Sequence, residues 1–337
     1  MGENRLAAAG RAASVAAMNR REFLLTSGAA LSFGFVARGA LFGQSPAAPP
    51  AAAPKTPVQM PPPVTEFKTI RRNTGYFTGR GGTIGWLVNG EAFAVVDTQF
   101  PETAAICLAG LPGRAQRTLD AVINSHHHWD HTAGNKVFRP VAKRIVAHQK
   151  VPALQAAAAA RNPQMGEFTV PDTLFADTWR ADIGDEVVNA RHLGAAHTGG
   201  DIIVHFERAN VVHLGDLVFN RLYPVTDRPG GCSVRNWVKV LETALQTYPK
   251  DAIYIYGHGK PAFGVTGAAA DLGLMRDFLS ALVAHVEREI KAGTPRAELV
   301  KLAVLPRWPD YEPADPKTSR LPGNLGAVYD ELTGPRA

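Results

Sequence analysis

The stretch Ala121-Val122-Ile123-Asn124-Ser125-His126-His127-His128-Trp129-Asp130-His131 sets four histidines and an aspartate directly behind a short apolar run. An apolar run of that length, bounded by polar residues, predicts a buried strand, and the histidines then occupy the loop leaving its end. In extended backbone alternate side chains share a side. His126, His128 and Asp130 are therefore expected to face one way, His131 follows as the chain turns, and His127 points away as a packing or surface residue. Two imidazoles two residues apart suit one metal ion; a carboxylate and a further imidazole just beyond suit a second.

Working outward, Thr83–Val88 and Ala92–Val96 read as two strands joined at Asn89-Gly90, a hairpin signal, with Asp97 ending the second. A helix is expected near Glu102–Leu111, a strand at Arg144–Ala147 and an alanine-rich helix at Val151–Ala160. The second half repeats the theme, with strands at Asp201–Phe206, Val211–Leu214 and Ala252–Tyr256 and a helix at Val234–Tyr248. Apolar residues at helical spacing from Leu272 to Ile290 predict the longest helix, Asp271–Ala292. Strands alternating with helices, with hairpins in both halves, favour a layered mixed α/β sandwich.

The His-x-His-x-Asp-His string, with the elements around it, resembles the signature of the metallo-β-lactamase superfamily. In order along the chain, His197 in His197-Thr198-Gly199-Gly200-Asp201 is similar to the histidine of the next motif. Asp216 in Leu214-Gly215-Asp216-Leu217 is similar to the bridging carboxylate, and His258 in Gly257-His258-Gly259 to the last ligand. Asp97 is similar to the aspartate that orients the histidine loop. The resemblance covers roughly residues 75 to 265. It implies a four-layer αβ/βα sandwich with the site along one edge of the sheets, and a C-terminal helical extension. It also implies that His126, His128 and His197 hold a first metal, that Asp130, His131 and His258 hold a second, and that Asp216 bridges them. Five imidazoles, two carboxylates and no thiolate suit two Zn²⁺, and the same set accepts iron or manganese. The implied chemistry is hydrolysis: metals about 3.5–4 Å apart share a hydroxide that attacks a carbonyl, while Asp130 helps to move the proton. Asn220, Tyr223 and Lys260, close in the chain to Asp216 and His258, are substrate-binding candidates, Lys260 either for a substrate carboxylate or as a solvent-facing residue. His205 and His213 read as core or edge residues, and His148, His192 and His285 as surface positions.

β-Lactamases of this superfamily place cysteine or serine where this chain has Asp216, so β-lactam cleavage is disfavoured. The pattern resembles glyoxalase II-like thioesterases, lactonases, arylsulfatase-like members and nucleases. Asn220-Arg221-Leu222-Tyr223-Pro224 and Gly230-Gly231-Cys232-Ser233-Val234, with Trp237, resemble a periplasmic SoxH-like branch, from which Cys232 is a local departure. The expectation is a hydrolase of a small ester, lactone, thioester or amide. The alternatives are a mononuclear iron persulfide dioxygenase-like enzyme and a metal-binding accessory protein of a periplasmic redox system.

Asn19-Arg20-Arg21-Glu22-Phe23-Leu24-Leu25 resembles a twin-arginine export signal, with Met18 a candidate start. The Phe23–Phe42 stretch is too rich in glycine for a stable membrane span and has the layout of a signal, an uncleaved anchor being the alternative. The expected organisation is a signal peptide over 1–45, a Pro/Ala-rich linker over 46–64, a core over 65–267 and C-terminal helices over 268–337 that complete or cap the domain. The expected partners are the twin-arginine export machinery and a small-molecule substrate, and the expected location is the periplasm. In residues 1–45 five arginines stand against Glu3 and Glu22, which accounts for +3 of the net charge of +6. Neither that modest remainder nor any basic run downstream favours nucleic acid. The only cysteines, Cys107 and Cys232, read as buried thiols, with a single bridge as the alternative.

Overall fold

The computed structural model describes residues 62–112, 117–311, 313 and 316–334. The export motif and nearly all of the Pro/Ala tract lie outside them. Seven strands form the first sheet in sequence order: β1 (Glu66–Arg71), β2 (Thr74–Thr78), β3 (Ile84–Val88), β4 (Phe93–Val96), β5 (Ala121–Ile123), β6 (Ile145–His148) and β7 (Thr173–Phe175). The first four pair antiparallel and β4 to β7 pair parallel. Helices α1 (Pro101–Gly110), α2 (Trp129–Thr132), α3 (Asn135–Phe138) and α4 (Val151–Arg161) lie within the parallel crossovers.

The second sheet contains β8 (Thr178–Ile183), β9 (Glu186–Arg191), β10 (Ile203–Phe206) and β11 (Val211–His213). The short β12 (Phe219–Asn220) leaves it and is followed by α5 (Val234–Thr247). Next, β13 (Ile253–Ile255) returns parallel to β11, β14 (His258–Gly259) pairs with β12, and β15 (Thr266–Gly267) closes the order β15-β13-β11-β10-β9-β8. The chain ends with α6 (Ala269–Lys291), α7 (Arg296–Leu299) and α8 (Leu321–Thr333).

Period-two alternation sorts these strands into layers. Along β4, Ala94 and Val96 face the second sheet, where they meet Val188, Val204 and Val211. Phe93 and Val95 face outward onto Cys107 of α1 and Phe138 of α3. On the far side, Val212 and Tyr254 of the second sheet pack under Trp237 and Leu241 of α5, Phe278 and Leu282 of α6, and Leu325 of α8. The result is the four-layer αβ/βα sandwich of the metallo-β-lactamase fold. The helices beyond residue 267 share one apolar cluster with α5. Among the described residues no helix is long and apolar enough to cross a membrane.

The hairpin expected at Asn89-Gly90 joins β3 and β4, and the Asn89 side chain accepts from the amides of Glu91 and Ala92 to hold its turn. Cys107 and Cys232 are free and buried, in different layers, as the preferred reading of the sequence has them. One local expectation is corrected. His148 is a buried residue rather than a surface one, stacked on His192 with ring centroids 3.9 Å apart.

Candidate metal centre

The carboxyl ends of parallel strands gather the chemistry, as open α/β sheets commonly arrange. Asp97 follows β4, His126 to His131 follow β5, Asp216 follows β11 and His258 follows β13. The run does not stay extended. After His128 it turns into α2, so a helical turn rather than strand alternation carries Asp130 and His131 into the site. His126, His128, His197 and Asp216 form one donor group, and Asp130, His131 and His258 form another. His127 points away from both, as expected, yet it is fully buried, with its nearest acceptor, Asp227 Oδ2, 3.4 Å away.

Outer partners orient four of the five inner rings. Asp97 is buried and accepts from the Ser125 amide and hydroxyl at 2.7 and 2.6 Å. Its Oδ2 also lies 2.8 Å from His131 Nδ1. Because the Ser125 hydroxyl donates to Asp97, it accepts from His126 Nδ1, 3.0 Å away. His197 Nδ1 donates to the Val225 carbonyl at 2.9 Å, and His128 Nε2 donates to Asp227 at 3.0 Å. With the outer nitrogens of His126, His128 and His197 occupied as donors, their inner nitrogens each carry a lone pair. Those lone pairs face one another: His126 Nε2 and His197 Nε2 stand 3.1 and 2.9 Å from His128 Nδ1.

Such an arrangement repels itself unless a cation lies among the donors. Tetrahedral zinc with bonds of about 2.0–2.1 Å would separate its ligand atoms by about 3.3 Å, close to these distances. The carboxylates complete the fit. Asp216 Oδ1, 3.1 Å from His131 Nε2, is buried and accepts no hydrogen bond. Asp216 Oδ2 lies 3.4 Å from His197 Nε2 and 3.5 Å from His258 Nε2. Asp130 Oδ2 lies 3.1 Å from His258 Nε2. The two oxygens of Asp216 thus reach both groups.

Electrostatics divides them. Burial, then the neighbouring imidazoles, push His197 down to about 3 and hold His126 well below its ordinary value, so both are neutral donors. Burial opposes charge on His131 as well, but Asp216, Asp130 and Asp97 outweigh it and raise that imidazole well above its usual range. Three carboxylates around one ring make this end of the site attractive to a cation.

The substrate-binding candidates lie elsewhere. Asn220 donates to the carbonyls of Phe263 and Gly264. Tyr223 is buried beside Phe278 and Tyr311, and the Lys260 ammonium donates to the Asp310 carbonyl. None of the three lines the cavity of about 570 Å³ over the donors. Strand alternation explains Asn220: Phe219, its neighbour in β12, faces the cavity and stacks on His258 at 5.4 Å. The cavity walls are Phe100, Trp129, Met165, Phe219 and Val225, with Arg320 at one side. Asp227, Ser125 and Arg320 carry no motif that would single them out in the sequence.

The sequence model of the Metallo-beta-lactamase superfamily matches residues 77–258, which include every donor. Among solved structures, the chain is similar to the stereoselective inverting sec-alkylsulfatase Pisa1 from Pseudomonas sp., at TM-score 0.63 and 16% identity over 80% of this chain and 50% of that one. It therefore spans half the length of that alkylsulfatase. A metallo-beta-lactamase from Pontibacter korlensis aligns at TM-score 0.53 and 19% identity, over 64% of this chain and 99% of that one. One from Hirschia baltica aligns at TM-score 0.52 and 16% identity, over 65% and 98%. At these identities the likeness is one of fold.

Proposed function

The chain belongs to the metallo-beta-lactamase superfamily and is in general class a metal-dependent hydrolase; from that premise we propose a binuclear enzyme, with zinc as the preferred ion, that cleaves a small ester, lactone, thioester or amide. The observation that carries this reading is the convergence of imidazole lone pairs whose tautomers are set from outside, with Asp216 reaching both groups. His126, His128 and His197 would hold one ion, Asp130, His131 and His258 the other, and Asp216 would serve both. Such a pair, when bound, supplies an activated water near neutral pH and polarises a carbonyl.

The chain's own residues do the rest. Asp97 orients His131 through its Nδ1 and, through Ser125, keeps His126 in the donor tautomer. Asp216 offsets part of the cationic charge. Asp130, a third exposed and held ionised by His131 and His258 against the cost of burial, is the carboxylate most open to the cavity. Its Oδ2 is placed to pass a proton between the water and the leaving group. The aromatic walls exclude water around the substrate body.

The test is metal quantification with a panel of lactones, aryl esters, thioesters and a chromogenic β-lactam, with Asp216→Ala as control. An alkyl sulfate joins the panel because Pisa1, whose fold this chain resembles, is a sec-alkylsulfatase. Close to two zinc ions per chain with turnover of a carbonyl substrate is the expected result; one iron with oxygen uptake overturns it. We also propose export to the periplasm by the twin-arginine route, supported by Asn19–Leu25. Arg20→Lys together with Arg21→Lys would leave the protein in the cytoplasm, and unimpaired export would refute the route.

A further inference from the structure

Arg320 is the one cation among the described residues that line the donor cavity. It comes from outside the stretch matched to the superfamily, at the start of α8. Its guanidinium lies over the Phe219 ring at 5.9 Å, and the Phe219 ring stacks on His258 at 5.4 Å with planes 14° apart. The charge therefore stands one aromatic ring away from the donors. Among the described residues no carboxylate pairs with it, and its one hydrogen bond is to the Tyr223 carbonyl at 3.4 Å. Apart from the donors the walls are apolar, and a charge beside apolar walls, even on an exposed residue such as Arg320, attracts an opposite charge more strongly than in open water.

From this we infer that the preferred substrate is anionic: a small hydrolysable molecule whose scissile bond lies at the donors and whose carboxylate, about one ring-width away, is bound by Arg320. This rests on the hydrolase reading and names the substrate class for that same site. A planar guanidinium can grip a carboxylate with two parallel N–H bonds. The apolar walls hold the spacer between the two ends, and a neutral group at the carboxylate's position leaves the guanidinium without an acceptor. The fork is what Arg320 adds, so a lysine there keeps the charge and loses the bidentate geometry.

The experiment compares 4-acetoxybenzoate with 4-acetoxybenzamide, which differ only in the charged group, on the zinc-loaded wild type and on Arg320→Ala and Arg320→Lys. The quantity read is the ratio of kcat/KM between the two esters. It is expected at about 10 or more for the wild type, near unity for Arg320→Ala and between the two for Arg320→Lys, the range of a charge-assisted hydrogen bond. In parallel, binding of the products 4-hydroxybenzoate and 4-hydroxybenzamide is measured by calorimetry, and the same ordering of Kd is expected. A ratio near unity in the wild type, or one that Arg320→Ala leaves unchanged, overturns the inference. If neither ester is cleaved but the products still bind in that order, the hydrolase reading fails and the anion site stands. If products bind alike while both esters are cleaved, the reverse holds.

Discussion

Asp227 and His128 lie 99 residues apart in the chain and meet at 3.0 Å, Oδ2 to Nε2, on the side of the imidazole turned away from the donors. The same carboxylate accepts from the Gly230 amide, which fixes it to a turn rather than to solvent. Asp97 does the corresponding service for the other donor group through His131. Asp227 thus supports one group alone, whereas Asp97 supports the other through His131 and reaches the first through Ser125 and His126.

Removing the support that serves one group alone should separate the two ions. Asp227→Asn is expected to weaken the ion held by His126, His128 and His197 about 10- to 100-fold, as outer partners of metal-bound histidines typically do. Asp97→Asn should weaken both ions, because Asp97 holds His131 directly and His126 through Ser125. Competition with a chromophoric chelator reads both. Equal weakening of both ions by Asp227→Asn would contradict the assignment.

Asp216→Ala should lower kcat/KM on any substrate found to below about one hundredth, beyond what loss of an outer partner costs. Atomic emission analysis should show fewer metal ions per chain. Removing the buried carboxylate that faces His131 also costs stability, so a circular dichroism spectrum like that of the wild type is the check that the loss of turnover comes from the site.

Gly257→Ala tests how closely the backbone must approach the bridge. A Cβ there would overlap Asp216 Oδ1 and come within 2.9 Å of the Gly215 backbone. We expect overpacking of about 1–3 kcal/mol, seen as a lower Tm, together with reduced metal content. Gly90→Ala, where no atom lies within 4 Å, is the control and should change neither.

Acid should weaken the fold partly through His148. Burial, then His192 and Lys150, lower its pKa from 6.5 to about 4. A folded pKa below the unfolded one means that the unfolded chain takes up the proton first. Stability is then intact above about 6.5 and falls as pH drops toward 4. His148→Gln should flatten that part of the Tm–pH curve relative to the wild type, and an unchanged slope would assign it to other groups.

The layered fold was legible where both faces of a strand are buried, as in β3, β4 and β5, and where a helix carries a long apolar stripe, as in α6. Strands β8 and β9 passed unremarked because their polar residues, such as Arg180 and Asn189, lie on partly open faces and dilute the pattern. The donors themselves stand in short motifs that survive as strings. Their supports do not: Asp227 reads as a turn residue and Arg320 as a surface charge, because each becomes functional only through contacts closed by the whole fold. Asn220 and Tyr223 show the converse. Near Asp216 in the chain, both are candidates for the pocket, but the two-residue period of β12 gives that face to Phe219 rather than Asn220, and Tyr223 is buried beside Phe278 and Tyr311.

The donors are drawn from both halves of the chain, with four from the loop after β5, one from the loop between β9 and β10, and two from loops after β11 and β13. Neither half holds enough of them to retain an ion, so tight binding waits until the two sheets have closed on each other. Metal uptake is then a late event in folding, and the bound ions act as a latch that stabilises only the finished sandwich by mass action. A chelator should accordingly speed unfolding of the mature protein far more than it slows collapse of the nascent chain.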